Sequence, residues 1–137
     1  SDRKGEITLY ERTDVEGGDI GVSLSKSFRQ NYHSKNIIEI KVSADKLSSY
    51  IKGNIDLLKI DIEGSEGLVI SELNKSGKLD KIKNISMEFH LIKENPLSEM
   101  LFNLEKNSHI YEISHWGQDQ NNPKISYSNS TKKAITY

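Results

Sequence analysis

Residues 55–66 read Ile-Asp-Leu-Leu-Lys-Ile-Asp-Ile-Glu-Gly-Ser-Glu, and no other stretch constrains the fold as much. A nearly unbroken apolar run ends in three carboxylates, Asp61, Glu63 and Glu66, around Gly64. Apolar strands that finish in acids and a glycine are typical of the central strands of open α/β sheets. Such sheets receive ligands in the crevice beyond the carboxyl ends of their strands. The stretch therefore points to a site as well as to a fold. No glycine-rich nucleotide loop precedes it.

At 137 residues, 34% hydrophobic and 28% charged, the chain has material for one domain with a real core. A net charge of -1 gives no electrostatic case for nucleic acid or an anionic membrane as main partner. No apolar run reaches the roughly 18 residues of a membrane span, and nothing resembles a signal peptide. The absence of Cys excludes disulfides and thiolate metal sites and fits the cytoplasm, the expected location. The opening Ser-Asp-Arg-Lys-Gly lacks Met and enters a strand almost at once, as expected of a junction inside a longer protein.

Residues 7–11 and 37–43 read as an antiparallel pair of strands. Their long connection runs through a glycine- and acid-rich stretch at 14–21 and a polar one at 23–34. Leu47 and Ile51, four apart, predict a short amphipathic helix over 44–51, ended by Gly53. A strand over 55–62 follows, then a helix with Ser65 as N-cap and Val69, Ile70 and Leu73 as its apolar stripe. Residues 84–90 form a further strand, and Pro96 opens a helix with Met100, Leu101 and Leu104 facing inward. Residues 109–116 and 132–137 are expected as the last strands, separated by a polar loop at 118–124. The predicted class is α/β, a parallel sheet with right-handed crossovers and an antiparallel end.

Side chains alternate along a strand, so Leu57, Lys59 and Asp61 share one face. In the next strand Ser86, Glu88 and His90 do the same. A lysine inside a buried strand needs a partner, and Glu88 is the candidate. The pair is either structural or orients Asp61 and His90 at the crevice. For Asp61, Glu63 and Glu66 two active roles stay open: oxygen ligands for a hard cation, or a general base towards a substrate hydroxyl. Glu66 alternatively serves the first turn of its helix, where negative charge is favoured. His90 is the best single general-base candidate. His33, His109 and His115 point to no site. Tyr111 and Trp116 read as core or pocket lining. No residue is assigned to a metal.

The segment Ile-Asp-Leu-Leu-Lys-Ile-Asp-Ile-Glu-Gly-Ser-Glu, followed by Ile-Ser-Met-Glu-Phe-His, resembles the FkbM-type methyltransferase family. The opening Ser-Asp-Arg-Lys-Gly-Glu-Ile-Thr-Leu-Tyr-Glu and the later Ile-Glu-Ile-Lys-Val-Ser-Ala-Asp-Lys-Leu are similar to segments upstream of that motif. The resemblance implies a Rossmann-like class I fold that uses S-adenosylmethionine, with many relatives acting on hydroxyls of sugars or natural products. Residues 55–62 and 84–90 would be its fourth and fifth strands, and the last two its antiparallel edge. Asp61, Glu63 and His90 would be catalytic, Asp61 and Asp2 would face the cofactor, and Lys59, Glu66 and Glu88 would support them.

The family's glycine-rich cofactor loop and ribose-binding acid have no counterpart here. The resemblance thus implies a single, incomplete domain over 1–137 with an exposed sheet edge, a pairing liability. A missing N-terminal half or a homodimer partner would cover it, and the chain alone would be inactive. The expected reaction is O-methylation of a small-molecule or glycan hydroxyl. The rivals are a non-catalytic binding or assembly module and a carboxylate-bound metal hydrolase.

Overall fold

The computed structural model describes residues 1–13, 22–26, 36–107, 110–115 and 123–128. Strands β1 (Gly5–Arg12) and β2 (Ile37–Ala44) form a two-stranded antiparallel ribbon, with Gly5 opposite Ala44 and Arg12 opposite Ile37. Both are rich in the β-branched and aromatic residues that suit a pleated surface, and the predicted pairing holds. Ser23 adds a bridge to Tyr10, with both backbone hydrogen bonds made.

The helix expected over 44–51 is only a 3-10 turn, Leu47–Ser49. Its serine explains the shortening. The Ser48 amide and hydroxyl donate to the two carboxylate oxygens of Glu72, fixing the turn against the next helix instead of letting it extend.

Strand β3 covers Leu58–Ile60, shorter than the expected 55–62. Ile55 makes an isolated bridge to Ile82, and the Asn84 side-chain amide takes the Asp56 carbonyl, interrupting the ladder between them. Beyond Ile60 the backbone turns: Glu63 has φ 56° and Gly64 φ 96°. Glu63 therefore does not continue the face of Asp61. Helix α1 (Glu66–Lys75) crosses over to β4 (Asn84–Glu88), which lies parallel to β3 with Leu58 opposite Ile85.

Helix α2 (Leu97–Lys106) follows with Pro96 at its N-cap, and then come β5 (Ile110–His115) and β6 (Pro123–Ser128). The four-stranded sheet has the order β3-β4-β6-β5, with β6 antiparallel to both neighbours. Among the described residues β3–β4 is the one parallel pair of strands, extended by the isolated parallel bridge of Ile55 to Ile82, so the expectation of a mostly parallel sheet is corrected. The loop expected over 118–124 also gives way at its end, where Pro123 and Lys124 begin β6. Proline is tolerated there because it is the first residue of the strand. The strand expected over 132–137 lies outside the described residues.

The core lies where α1 and α2 pack on one face of β3 and β4. Val69, Ile70 and Leu73 from α1, Met100 and Leu104 from α2, and Ile60, Ile85, Met87 and Phe89 are all buried. Burying each such side chain contributes about 1.5–3 kcal/mol. The other face of β3 is open, with Leu57 61% exposed and Lys59 exposed. Lys59 is thus hydrated and makes no ion pair with Glu88, contrary to expectation; its register partner is Ser86. The outer edge of β3 pairs with no further strand among the described residues. No helix among them is long and apolar enough to cross a membrane.

Candidate functional site

The site is built on the turn from β3 into α1. Gly64 is required there twice over: its φ is left-handed, and a Cβ would lie 2.9 Å from Ile92 Cδ1. Glu63 shares the left-handed conformation without being glycine, which costs about 1–2 kcal/mol and needs an external clamp. Ser23 supplies it. Its hydroxyl, 1% exposed, donates to the Glu63 carbonyl at 2.5 Å and accepts the Ser25 amide proton at 3.0 Å. The ribbon and the strand-end turn are thereby joined.

Ser65 stands at the N-cap of α1, as expected, but makes no side-chain capping bond. The orphan amide of Gly67 instead donates to Asn95 Oδ1 at 2.9 Å, a cap delivered from the segment before α2. Glu66, the first helical residue, is fully buried and folds its carboxylate back towards the strand ends. Oε1 accepts the Gly64 amide at 3.0 Å and the Ile62 amide at 3.4 Å, and it contacts His90 Nδ1 at 3.0 Å. Oε2 accepts from Asn95 Nδ2 at 2.7 Å and the His90 amide at 3.4 Å. Asn95 Nδ2 also donates to the His90 carbonyl at 2.9 Å.

A buried carboxylate is tolerable only with such a set of donors. Burial raises the Glu66 carboxyl, but the His90 bond, the backbone amide bonds and the His90 charge together hold it below its ordinary range. Burial likewise lowers the His90 imidazole. The bond and charge of Glu66, with the charges of Glu63 and Glu88, outweigh this and raise it above its ordinary value. With Glu66 ionised, Nδ1 carries a proton and the ring orientation is fixed.

The other ring nitrogen faces the mouth of the site, where His90 Nε2 lies 3.7 Å from Glu63 Oε2. Asp61, Glu63 and His90 each place one ligand atom within 4.8 Å of the others'. Asp61 is exposed, Glu63 half-buried and His90 4% exposed. Asp61 and Glu63 also line a cleft of about 320 Å³, together with Asp2 and apolar side chains including Ile7, Leu9 and Leu68. Burial raises the Asp2 carboxyl. Its bonds to Arg3, at 3.1 and 3.2 Å, and the Arg3 charge more than offset this, keeping it below the usual carboxylate range.

The structure thus gathers Asp2, Asp61 and Glu63 on one cleft, with Glu66 and His90 behind them. Glu88, half-buried at the end of β4, adds its charge to the His90 environment. Lys59 stands apart on the open face. Two residues that the sequence did not single out, Ser23 and Asn95, hold the arrangement together. Asn95 carried one signal, its place just before the proline that opens α2; Ser23 carried none. His33, His109 and Trp116 fall outside the described residues.

The Methyltransferase FkbM domain model matches residues 1–122 of the chain. No curated protein and no solved structure matches it.

Proposed function

The chain belongs to the FkbM methyltransferase family, and from that premise we propose that it carries part of an S-adenosylmethionine-dependent O-methyltransferase site, including one wall of the cofactor cleft. The observation that carries this reading is the convergence of Asp2, Asp61 and Glu63 on one cleft, with the Glu66–His90 pair fixed behind it. At about 320 Å³ the cleft is at the small end of ligand pockets, which run from about 300 to 1,000 Å³. Its apolar walls and the carboxylates of Asp61 and Glu63 suit a ligand with an apolar body and positive charge, which describes this cofactor. Asp2 and Asp61 would hold it.

S-adenosylmethionine, when bound, supplies a methyl group on a sulfonium sulfur that leaves as a neutral thioether. The chain's own residues have two tasks: to align the acceptor hydroxyl and to take its proton as the O–C bond forms. Asp61 and Glu63 are the groups an acceptor can touch. His90, 4% exposed and bonded through Nδ1 to Glu66, is reached through them and sets the position of Glu63. Acceptors are small molecules or glycans offering a free hydroxyl.

The test is run on this chain joined to the N-terminal half it is expected to need. It measures transfer of labelled methyl from S-adenosylmethionine to a panel of hydroxylated acceptors by the wild-type protein and by Asp61→Asn and Glu63→Gln. A fall of about 100-fold or more in kcat is expected for at least one variant. Undiminished transfer in both would remove these acids from the reaction.

A further inference from the structure

We propose that Asp61, Glu63 and His90 form a binding site for a single divalent first-row transition-metal ion at the mouth of the cleft. One carboxylate oxygen from each acid and one imidazole nitrogen converge within 4.8 Å of one another. Ligand atoms on one ion with bonds of about 2.1–2.2 Å lie at most about 4.4 Å apart, so the three groups need small closing movements to share an ion.

A second observation concerns the histidine itself. His90 is 4% exposed, and its Nδ1 is committed to a fully buried carboxylate, Glu66. This is the carboxylate–histidine arrangement that fixes a ligand's tautomer and aims its other nitrogen at a metal. Here that other nitrogen, Nε2, faces Glu63. Asn95 in turn holds Glu66, so the support extends one layer further back.

The mixed ligand set decides the kind of ion. Two carboxylates alone would suit magnesium or calcium, whereas an imidazole nitrogen shifts preference to the transition series. Three protein ligands leave coordination positions open on the cleft side. There the ion would coordinate the acceptor hydroxyl and make its proton easier to remove, while the second oxygen of Asp61 or Glu63 receives that proton. This last role rests on the methyltransferase reading; the binding site does not.

The experiment is therefore run with metal alone. Chelator-treated protein is titrated with Mn²⁺, free ion being read by electron paramagnetic resonance, without cofactor or acceptor. Saturable binding of one ion is expected. Asp61→Asn, at an exposed position and not expected to disturb folding, should weaken it at least 10-fold. Glu66→Gln, which keeps all three ligands but loosens His90, should weaken it about 10- to 100-fold, with folding checked by circular dichroism. Asp56→Asn, at a fully hydrated acid, should change nothing. Mg²⁺ should displace Mn²⁺ only at concentrations at least 10-fold higher. No saturable binding at millimolar Mn²⁺, or equal binding in wild type and Asp61→Asn, overturns the proposal and leaves the methyl-transfer reading to its own test.

Discussion

Asn95 donates from a single amide nitrogen to both Glu66 Oε2 and the His90 carbonyl, and its oxygen receives the Gly67 amide. One side chain, 1% exposed, thus spans the beginning of α1 and the end of β4. The arrangement leaves no space at Gly67, where a Cβ would lie 2.6 Å from Asn95 Oδ1. Alanine normally stabilises a helix relative to glycine by about 1 kcal/mol. Gly67→Ala should do the opposite and destabilise by about 1–3 kcal/mol, the usual cost of overpacking. Urea unfolding checks the sign, and a more stable variant would mean that Asn95 is free to move.

The Glu66–His90 pair makes the metal-free protein's stability depend on pH from both sides. The His90 value is raised in the folded state, so its contribution is complete below 6.5, its ordinary value, and is lost as pH rises through the raised one. The Glu66 value is lowered, so its contribution is present above 4.5 and is lost as pH falls through the lowered one. Stability from the pair is greatest between these limits. Thermal unfolding in chelator should show Tm falling as pH rises above the ordinary 6.5 of His90, and His90→Gln should flatten that limb. An equally steep fall in the variant would place the titrating group elsewhere.

Ser23 acts at a distance from the chemistry, on the backbone of Glu63. Ser23→Ala removes two hydrogen bonds, each worth about 0.5–1.5 kcal/mol, too little to unfold a typical domain. Its larger effect should be on turnover, because the left-handed Glu63 backbone loses the bond that holds it. We expect kcat to fall about 10-fold, on the scale that small misplacements of a site can reach, with Tm lowered only a few degrees. Unchanged turnover would show that the turn holds Glu63 without help.

Lys59 supplies the opposite case. Hydrated on the open face of β3 and unpaired with Glu88, it should tolerate Lys59→Met within about 0.5 kcal/mol, the range of ordinary surface changes. Methyl transfer should stay at the wild-type level. A loss above about 2 kcal/mol would restore the buried pair that the sequence suggested.

The contrast between Lys59 and Glu66 shows how far the sequence was legible. Apolar periodicity located α1, α2, β3 and β4, because those elements bury alternating or striped side chains. The same periodicity could not tell that one face of β3 is open, since exposure depends on what packs against a strand and not on the strand itself. The sequence favoured a helix-end charge for Glu66 over a group facing the strand end. The structure shows the second, because its donors come from Ile62, Gly64, His90 and Asn95, up to 29 residues away. Asn95 and Ser23 were illegible for the same reason. Their roles are contacts across the fold, and neither belongs to a spacing that a sequence displays. The strand Pro123–Ser128 was not legible because the polar stretch ending at Lys124 reads as a loop, whereas Pro123 is a strand's first residue.

The amides of Ile62, Gly64, Gly67 and His90 all end on side-chain oxygens of Glu66 or Asn95, beneath the mouth of the cleft. Hydrogen exchange at these positions cannot proceed by fraying of a helix end or a loop. It requires the segments before α1 and before α2 to separate, which also exposes the core. The protected amides of this protein should therefore include those nearest its reactive groups. The floor of the site opens only when the domain does.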